Sequence, residues 1–123
     1  MLENYKRLFS KLEIQEIKYC SWKNNHLLKK ECNGDGDIDL LVHPLQRHEF
    51  EGLLSSNEFI RVGSSIAEYP FIEHYYCFDT LQNKFGHLHV YFKLITGDSH
   101  LKNYRLPVED KVLNASYVSD FGI

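Results

Sequence analysis

The residues best suited to chemistry sit in one stretch, Gly34-Asp35-Gly36-Asp37-Ile38-Asp39-Leu40-Leu41-Val42. An acidic, flexible turn runs into a short apolar strand that begins with two carboxylates. Side chains alternate faces along a strand, so Asp37 and Asp39 share one side while Ile38, Leu40 and Val42 take the other. Two like charges held side by side repel unless water or a cation separates them. Hard divalent cations such as Mg²⁺ favour oxygen ligands, commonly one or two carboxylates together with substrate phosphates. Asp and Gly are also ordinary turn formers, so an exposed turn with no further role is the plain alternative.

Thirteen residues lie between Lys23 and Asp37, enough for a short helix and a turn. Lys23 is expected at the start of that helix, with Asn24 or Asn25 as its cap. Free backbone N–H groups at a helix start, helped by the dipole, bind phosphate, and a lysine adds a mobile positive charge. Mg²⁺ (or Mn²⁺) on Asp37 and Asp39, with phosphates clamped between the ion and the helix start, is the arrangement that phosphoryl or nucleotidyl transfer needs. A surface lysine beside a structural cap is the alternative.

His87 and His89 form a second pair on one strand face. If their strand runs beside the carboxylates, one imidazole can approach the metal or act as a base near neutral pH. A polar strand face, with each His bonded to a carbonyl or a Tyr, is the alternative. A dedicated zinc site lacks an obvious third ligand. Trp22, Tyr75, Tyr76 and Tyr91 can stack on a base or fill a sheet. Lys102 and Arg105 can reach triphosphate oxygens or lie in a solvated loop. His26, His43, His48, His74 and His100 have no usable spacing.

These groups need elements to hold them. Leu2, Tyr5, Leu8, Phe9 and Leu12 recur at helical spacing, which predicts an amphipathic helix. A strand over 17–22 follows, then a short helix carrying Leu27 and Leu28, and a Cys32-to-Gly36 loop that leads to the aspartates. Pro44 suits the first position of a third helix whose buried candidates are Leu45, Phe50, Leu53 and Leu54. A return strand is expected over 59–62, a loop from Gly63 to Pro70, and strands over 72–78 and 87–95 joined by a hairpin loop at Asn83–Gly86. On the last strand Leu88, Val90, Phe92 and Leu94 take one face, and His87, His89, Tyr91 and Lys93 the other. Residues 101–107 read as an irregular basic segment and 108–115 as a short helix. This order predicts an α/β (α+β) sheet with helices on one side and the carboxylates at one end of a central strand.

With 123 residues there is room for one domain, here taken as 1–123. The hydrophobic content of 43% and charged content of 25% are ordinary for a globular protein. A formal net charge of -3 argues against a generic nucleic-acid coat, so nucleic acid is not the expected partner. The start carries no signal-peptide core and no apolar run is long enough for a membrane. Cys20, Cys32 and Cys77 lack paired metal spacing and read as reduced thiols, which predicts a cytoplasmic protein. The glycosylation pattern at Asn114-Ala115-Ser116 is empty without a secretory route. The end at Asp120-Phe121-Gly122-Ile123 shows no clear element, so one module of a longer protein is expected.

Taken together, the sequence resembles the nucleotidyltransferase fold superfamily, which includes polymerase-β-like and aminoglycoside-type enzymes. Its signature is a Gly-Ser pair at a helix start, followed about a dozen residues later by Asp-hydrophobic-Asp-hydrophobic. Asp37-Ile38-Asp39-Leu40 matches the second half, and Ser21-Trp22-Lys23-Asn24 stands where Gly-Ser would be. A poorly characterised bacterial subgroup is similar in its Trp-Lys segment, its His-x-His strand and its Lys-Asn-Tyr-Arg-Leu-Pro segment. Here those are Trp22-Lys23, His87-Leu88-His89 and residues 102–107, so the likeness covers roughly 17–107.

The resemblance implies a mixed sheet with helices packed on one side and a third carboxylate on a later strand antiparallel to the first. The matching strand, 87–95, holds no Asp or Glu, and His89 is the nearest candidate. It further implies transfer of a nucleoside monophosphate from an NTP to an acceptor hydroxyl, with Mg²⁺ (or Mn²⁺) as cofactor. Asp37, Asp39 and His89 would form the catalytic and metal set; Ser21, Lys23, Asn24, Lys102 and Arg105 would bind the nucleotide phosphates. The acceptor is not named by the sequence. The alternative is a catalytically inactive nucleotide- or partner-binding module of the same fold, fused to another domain or acting like an antitoxin.

Overall fold

The computed structural model describes residues 1–63, 69–98, 101–106 and 109–115, with the backbone alone for 95–98, 101–106 and 115. Helix α1 (Glu3–Ile14) buries Tyr5, Leu8, Phe9 and Leu12, the stripe its spacing predicts. Its first turn is capped from a distance, because the Glu3 N–H donates to Asp79 Oδ2 at 2.7 Å. Strand β1 (Tyr19–Ser21) leads to a single 3-10 turn at Asn25–Leu27 and a single α-turn, α2 (Leu28–Glu31). The expected Asn cap does not form. Asn24 is left-handed with φ 52 and makes no side-chain cap bond, and the Ser21 hydroxyl lies 2.8 Å from Asn25 Oδ1.

Strand β2 (Asp37–Val42) is followed by a 3-10 turn at Pro44–Gln46 and helix α3 (Arg47–Ser56). Starting with a tighter turn shifts the helical phase, so Leu45 is 88% exposed while Phe50, Leu53 and Leu54 are buried as expected. Short strand β3 (Ile60–Val62) comes next; of the expected loop, 64–68 lie outside the described residues. Strands β4 (Ile72–Asp79) and β5 (Lys84–Tyr91) form a long hairpin. Its turn is 80–83, earlier than expected, because Asp79 Oδ1 accepts the N–H groups of Leu81 (2.9 Å) and Gln82 (3.0 Å). Those bonds and the one from Glu3 hold the Asp79 carboxyl below its ordinary pKa.

The strand expected over 87–95 therefore splits. It begins at Lys84 and ends at Tyr91, and Leu94 starts a new strand, β6 (Leu94–Asp98). The segment read as irregular is strand β7 (Leu101–Leu106), paired antiparallel with β6, and helix α4 (Glu109–Ala115) closes the described chain.

The larger sheet has the order β1-β2-β5-β4-β3. Strands β2 and β5 are parallel, whereas the resemblance implies that this later strand runs antiparallel to the first. A parallel neighbour requires a crossover, and here the chain passes through α3, β3 and β4 before β5 returns beside β2. Ile38, Leu40, Val42, Tyr75, Cys77, Leu88 and Val90 face a common core with α1 and α3. Gly86 makes room for Tyr5, since a Cβ there would stand 2.8 Å from the Tyr5 oxygen; the phenol reaches the His87 carbonyl at 3.2 Å.

Helices do not lie on one side only. Cys20, Leu41, Ile72, Tyr91 and Leu94 form a second cluster on the opposite face, which Leu113 of α4 covers. That face is apolar near the ends of β2 and β5 and polar near their starts. Among the described residues, no helix is long and apolar enough to cross a membrane.

Candidate metal centre

The polar half of that second face is assembled by register. In the parallel pair, Asp37 lies opposite His87 and Asp39 opposite His89. The β4–β5 hairpin adds His74 opposite His89 and Tyr76 opposite His87. Alternation sends all six side chains to the face away from the main core.

Asp39 is only 6% exposed, and His89 Nδ1 lies 3.1 Å from its Oδ1. Asp37, Asp39 and His89 each offer a ligand atom, and the three atoms lie within 4.8 Å of one another. Lys23 stands beside them with its Nζ 4.0 Å from Asp39 Oδ1, donating to the Tyr91 hydroxyl at 2.8 Å. Its ammonium also lies over the Trp22 and Tyr91 rings, 4.4 and 4.5 Å from their centroids. The Tyr91 oxygen is in turn 3.3 Å from His89 Nδ1. Burial, reinforced by the negative charges of Asp39 and Asp37, raises the Tyr91 phenol well above its ordinary pKa, so it stays protonated.

A third carboxyl approaches from α2. Glu31 is 5% exposed, and its Oε2 is buried with no hydrogen-bond partner. Burial first, then the charges of Asp37 and Asp39, push its pKa up to about 7. Gly36 lies against it: with φ 134, and with a Cβ that would stand 3.3 Å from Glu31 Cγ, this position fits glycine alone.

On the other side the imidazoles form a ladder. The His74 and His89 rings stack at 4.2 Å, Tyr76 and His87 at 4.3 Å, and His74 Nδ1 lies 3.0 Å from His87 Nε2. Burial lowers the His87 pKa, and His89 adds to that while Asp37 and Asp39 oppose it.

Asp37, Asp39, His89 and Lys23 are thus brought together. Ser21 and Asn24 are not: the Ser21 hydroxyl bonds Asn25, and Asn24 is exposed on a left-handed turn. Nor does Lys23 sit at a sustained helix start, because only one 3-10 turn and one α-turn follow it. Lys102 and Arg105 have their backbone in β7, and their side chains lie outside the described residues.

Sequence patterns did not single out Glu31, His74 or the role of Tyr91. The available signal for Glu31 was its place between Leu28 and Cys32 on a helical stripe, which puts a carboxylate where apolar side chains are buried.

A divalent cation suits this donor set. Two carboxylates and an imidazole converge, one carboxylate is almost fully buried, and an orphaned carboxyl oxygen lies behind them. Buried carboxylates are costly to ionise, and Lys23, 4.0 Å from Asp39, sets one positive charge against the two aspartates. Among known proteins, no family model, curated protein or solved structure matches the chain.

Proposed function

We propose that this sheet face is a metal-dependent nucleotidyl-transfer centre, acting on an NTP and an acceptor hydroxyl. The observation that carries the proposal is the convergence of Asp37, Asp39 and His89 ligand atoms within 4.8 Å, with the Lys23 ammonium 4.0 Å from Asp39. Opposite charges set next to one another on one sheet face suit a ligand that brings phosphates and a cation together.

Asp37, Asp39 and His89 would hold Mg²⁺ or Mn²⁺, which supplies Lewis-acid polarisation of a phosphoryl oxygen. Lys23 binds phosphate oxygens through the ammonium donors that Tyr91 leaves available. The phenol fixes the lysine stem and lies beside His89, so one hydroxyl positions both. In the transfer, the acceptor oxygen forms a bond to the α-phosphorus and the bond to pyrophosphate breaks. The acceptor proton passes to His89, which in this reading serves either as the third metal ligand or as the base. The three buried, free thiols support a reducing, cytoplasmic setting.

Two observations favour a second reading, a catalytically inactive nucleotide- or partner-binding module of this fold. Lys23 already balances Asp39 internally, and no carboxylate on β5 completes the acidic set. An antitoxin-like role with a protein partner belongs to this alternative.

Pyrophosphate release separates the two. With Mn²⁺, an NTP and a panel of sugar, nucleic-acid-end and protein hydroxyl acceptors, transfer should release pyrophosphate only when an acceptor is present. Asp37→Asn and Asp39→Asn should each stop it. Release that survives both substitutions, or none with any acceptor, would remove the catalytic assignment.

A further inference from the structure

The face that carries Asp37, Asp39 and His89 does not end at the polar ladder. Going back along β5 and β4, the next pair after His87 and Tyr76 is Phe85 and Phe78, directly opposite one another. The two rings lie 5.0 Å apart at 58° and are 67% and 43% exposed. On β3, Ile60 pairs with Tyr76 and Val62 with His74, so these side chains join the same face, 70% and 47% exposed. Alternation makes this a continuous strip, running from open aromatic rings at the hairpin end to the carboxylates.

A strand advances about 3.3 Å per residue, so the Tyr76–His87 pair lies roughly 7 Å, and the Phe78–Phe85 pair roughly 13 Å, from the level of Asp39 and His89. Exposed Phe residues on a sheet hold planar rings by stacking, which is tolerant of base identity. The strip has no cationic side chain among those residues, so it suits an uncharged ring rather than more phosphate. An elongated ligand with an anionic end and a planar end matches this polarity, its anion beside Lys23 and its ring over the phenylalanines.

We propose that Phe78 and Phe85, with Tyr76 beside them, are the subsite for the nucleobase of the ligand whose phosphates lie at Asp37, Asp39, His89 and Lys23. This rests on the proposed function of that centre and adds the location of the base. Because stacking reads a π-face and not an edge pattern, the subsite discriminates weakly between bases.

The test compares two probes by calorimetry in Mn²⁺, a non-hydrolysable NTP and inorganic tripolyphosphate, on wild type, Phe78→Ser/Phe85→Ser and Leu81→Ser. Leu81 is 80% exposed in the same hairpin turn and serves as the control for a surface change. The double variant should bind the NTP analogue roughly five- to a hundred-fold more weakly. Tripolyphosphate binding, and both affinities of Leu81→Ser, should be unchanged. Binding of both probes with no loss of NTP affinity would place the base elsewhere and leave the metal centre standing. Failure of both probes on wild type would remove the centre and the subsite together. If wild type sediments as a dimer that the double variant dissolves, the strip is covered by a second copy and the nucleobase assignment is overturned.

Discussion

Asp39 and His89 face each other across a parallel strand pair, with Oδ1 and Nδ1 3.1 Å apart. The parallel register makes this pairing, and it gives the carboxylate pair an imidazole partner. A mixed oxygen and nitrogen donor set favours ions that accept both. Mn²⁺ should therefore bind more tightly than Mg²⁺, which prefers oxygen alone. Mn²⁺ titration followed by electron paramagnetic resonance, with Mg²⁺ in competition, measures the ratio. His89→Gln should narrow it, and an unchanged ratio would take the imidazole out of the site.

On the proposed reading, Lys23, 4.0 Å from Asp39 Oδ1, would compete with the metal for that carboxylate. Its ammonium is partly exposed, so the interaction is screened, and Lys23→Met should tighten binding of Mn²⁺ alone by on the order of two- to five-fold. The same substitution should weaken binding of an NTP analogue, because it removes the proposed phosphate partner. Opposite signs for the two ligands are the expected outcome of paired titrations. Parallel losses would mean that Lys23 acts through folding.

Glu31 makes stability depend on pH. Its folded-state pKa is about 7, against an ordinary 4.5, so between those values the native state holds more protons than the unfolded state. Stability then falls as pH rises through this window, by on the order of 2 kcal/mol. Glu31→Gln should flatten the fall and be more stable than wild type at pH 8. Urea denaturation from pH 5 to 8 reads both effects, and a wild-type curve that rises would reverse the assignment.

Gly86→Ala tests the main core. The added Cβ would meet Cys77 Sγ at 2.7 Å and the Tyr5 oxygen at 2.8 Å. Overpacking of this kind costs about 1–3 kcal/mol. A thermal melt should show the loss, whereas Gly52→Ala, with nothing within 4 Å, should leave the core unaltered.

Much of the fold was legible because its core is periodic. The α1 stripe and the alternation of Ile38, Leu40, Val42, Leu88 and Val90 are local patterns, and the structure buries them all. The carboxylate pair was legible for the same reason: period two alone puts Asp37 and Asp39 on one face. Strand direction was not, because no local pattern in 84–91 records that β5 returns parallel beside β2. His74 and Glu31 needed that pairing, or the packing of a single helical turn, before their positions meant anything. Leu45 misled because Pro44 opens a 3-10 turn, where the α-helical phase does not apply. Asp79 carries no local signal, since its role is to accept N–H groups from Glu3, Leu81 and Gln82, which the folded chain gathers.

The most direct test of the centre is calorimetric titration of a non-hydrolysable NTP into the protein, with and without Mg²⁺ or Mn²⁺. Binding should require the metal, and Asp37→Asn and Asp39→Asn should each abolish it without lowering the melting temperature. Metal-independent binding, or binding that survives both substitutions, would contradict the assignment of these carboxylates to a metal–nucleotide site.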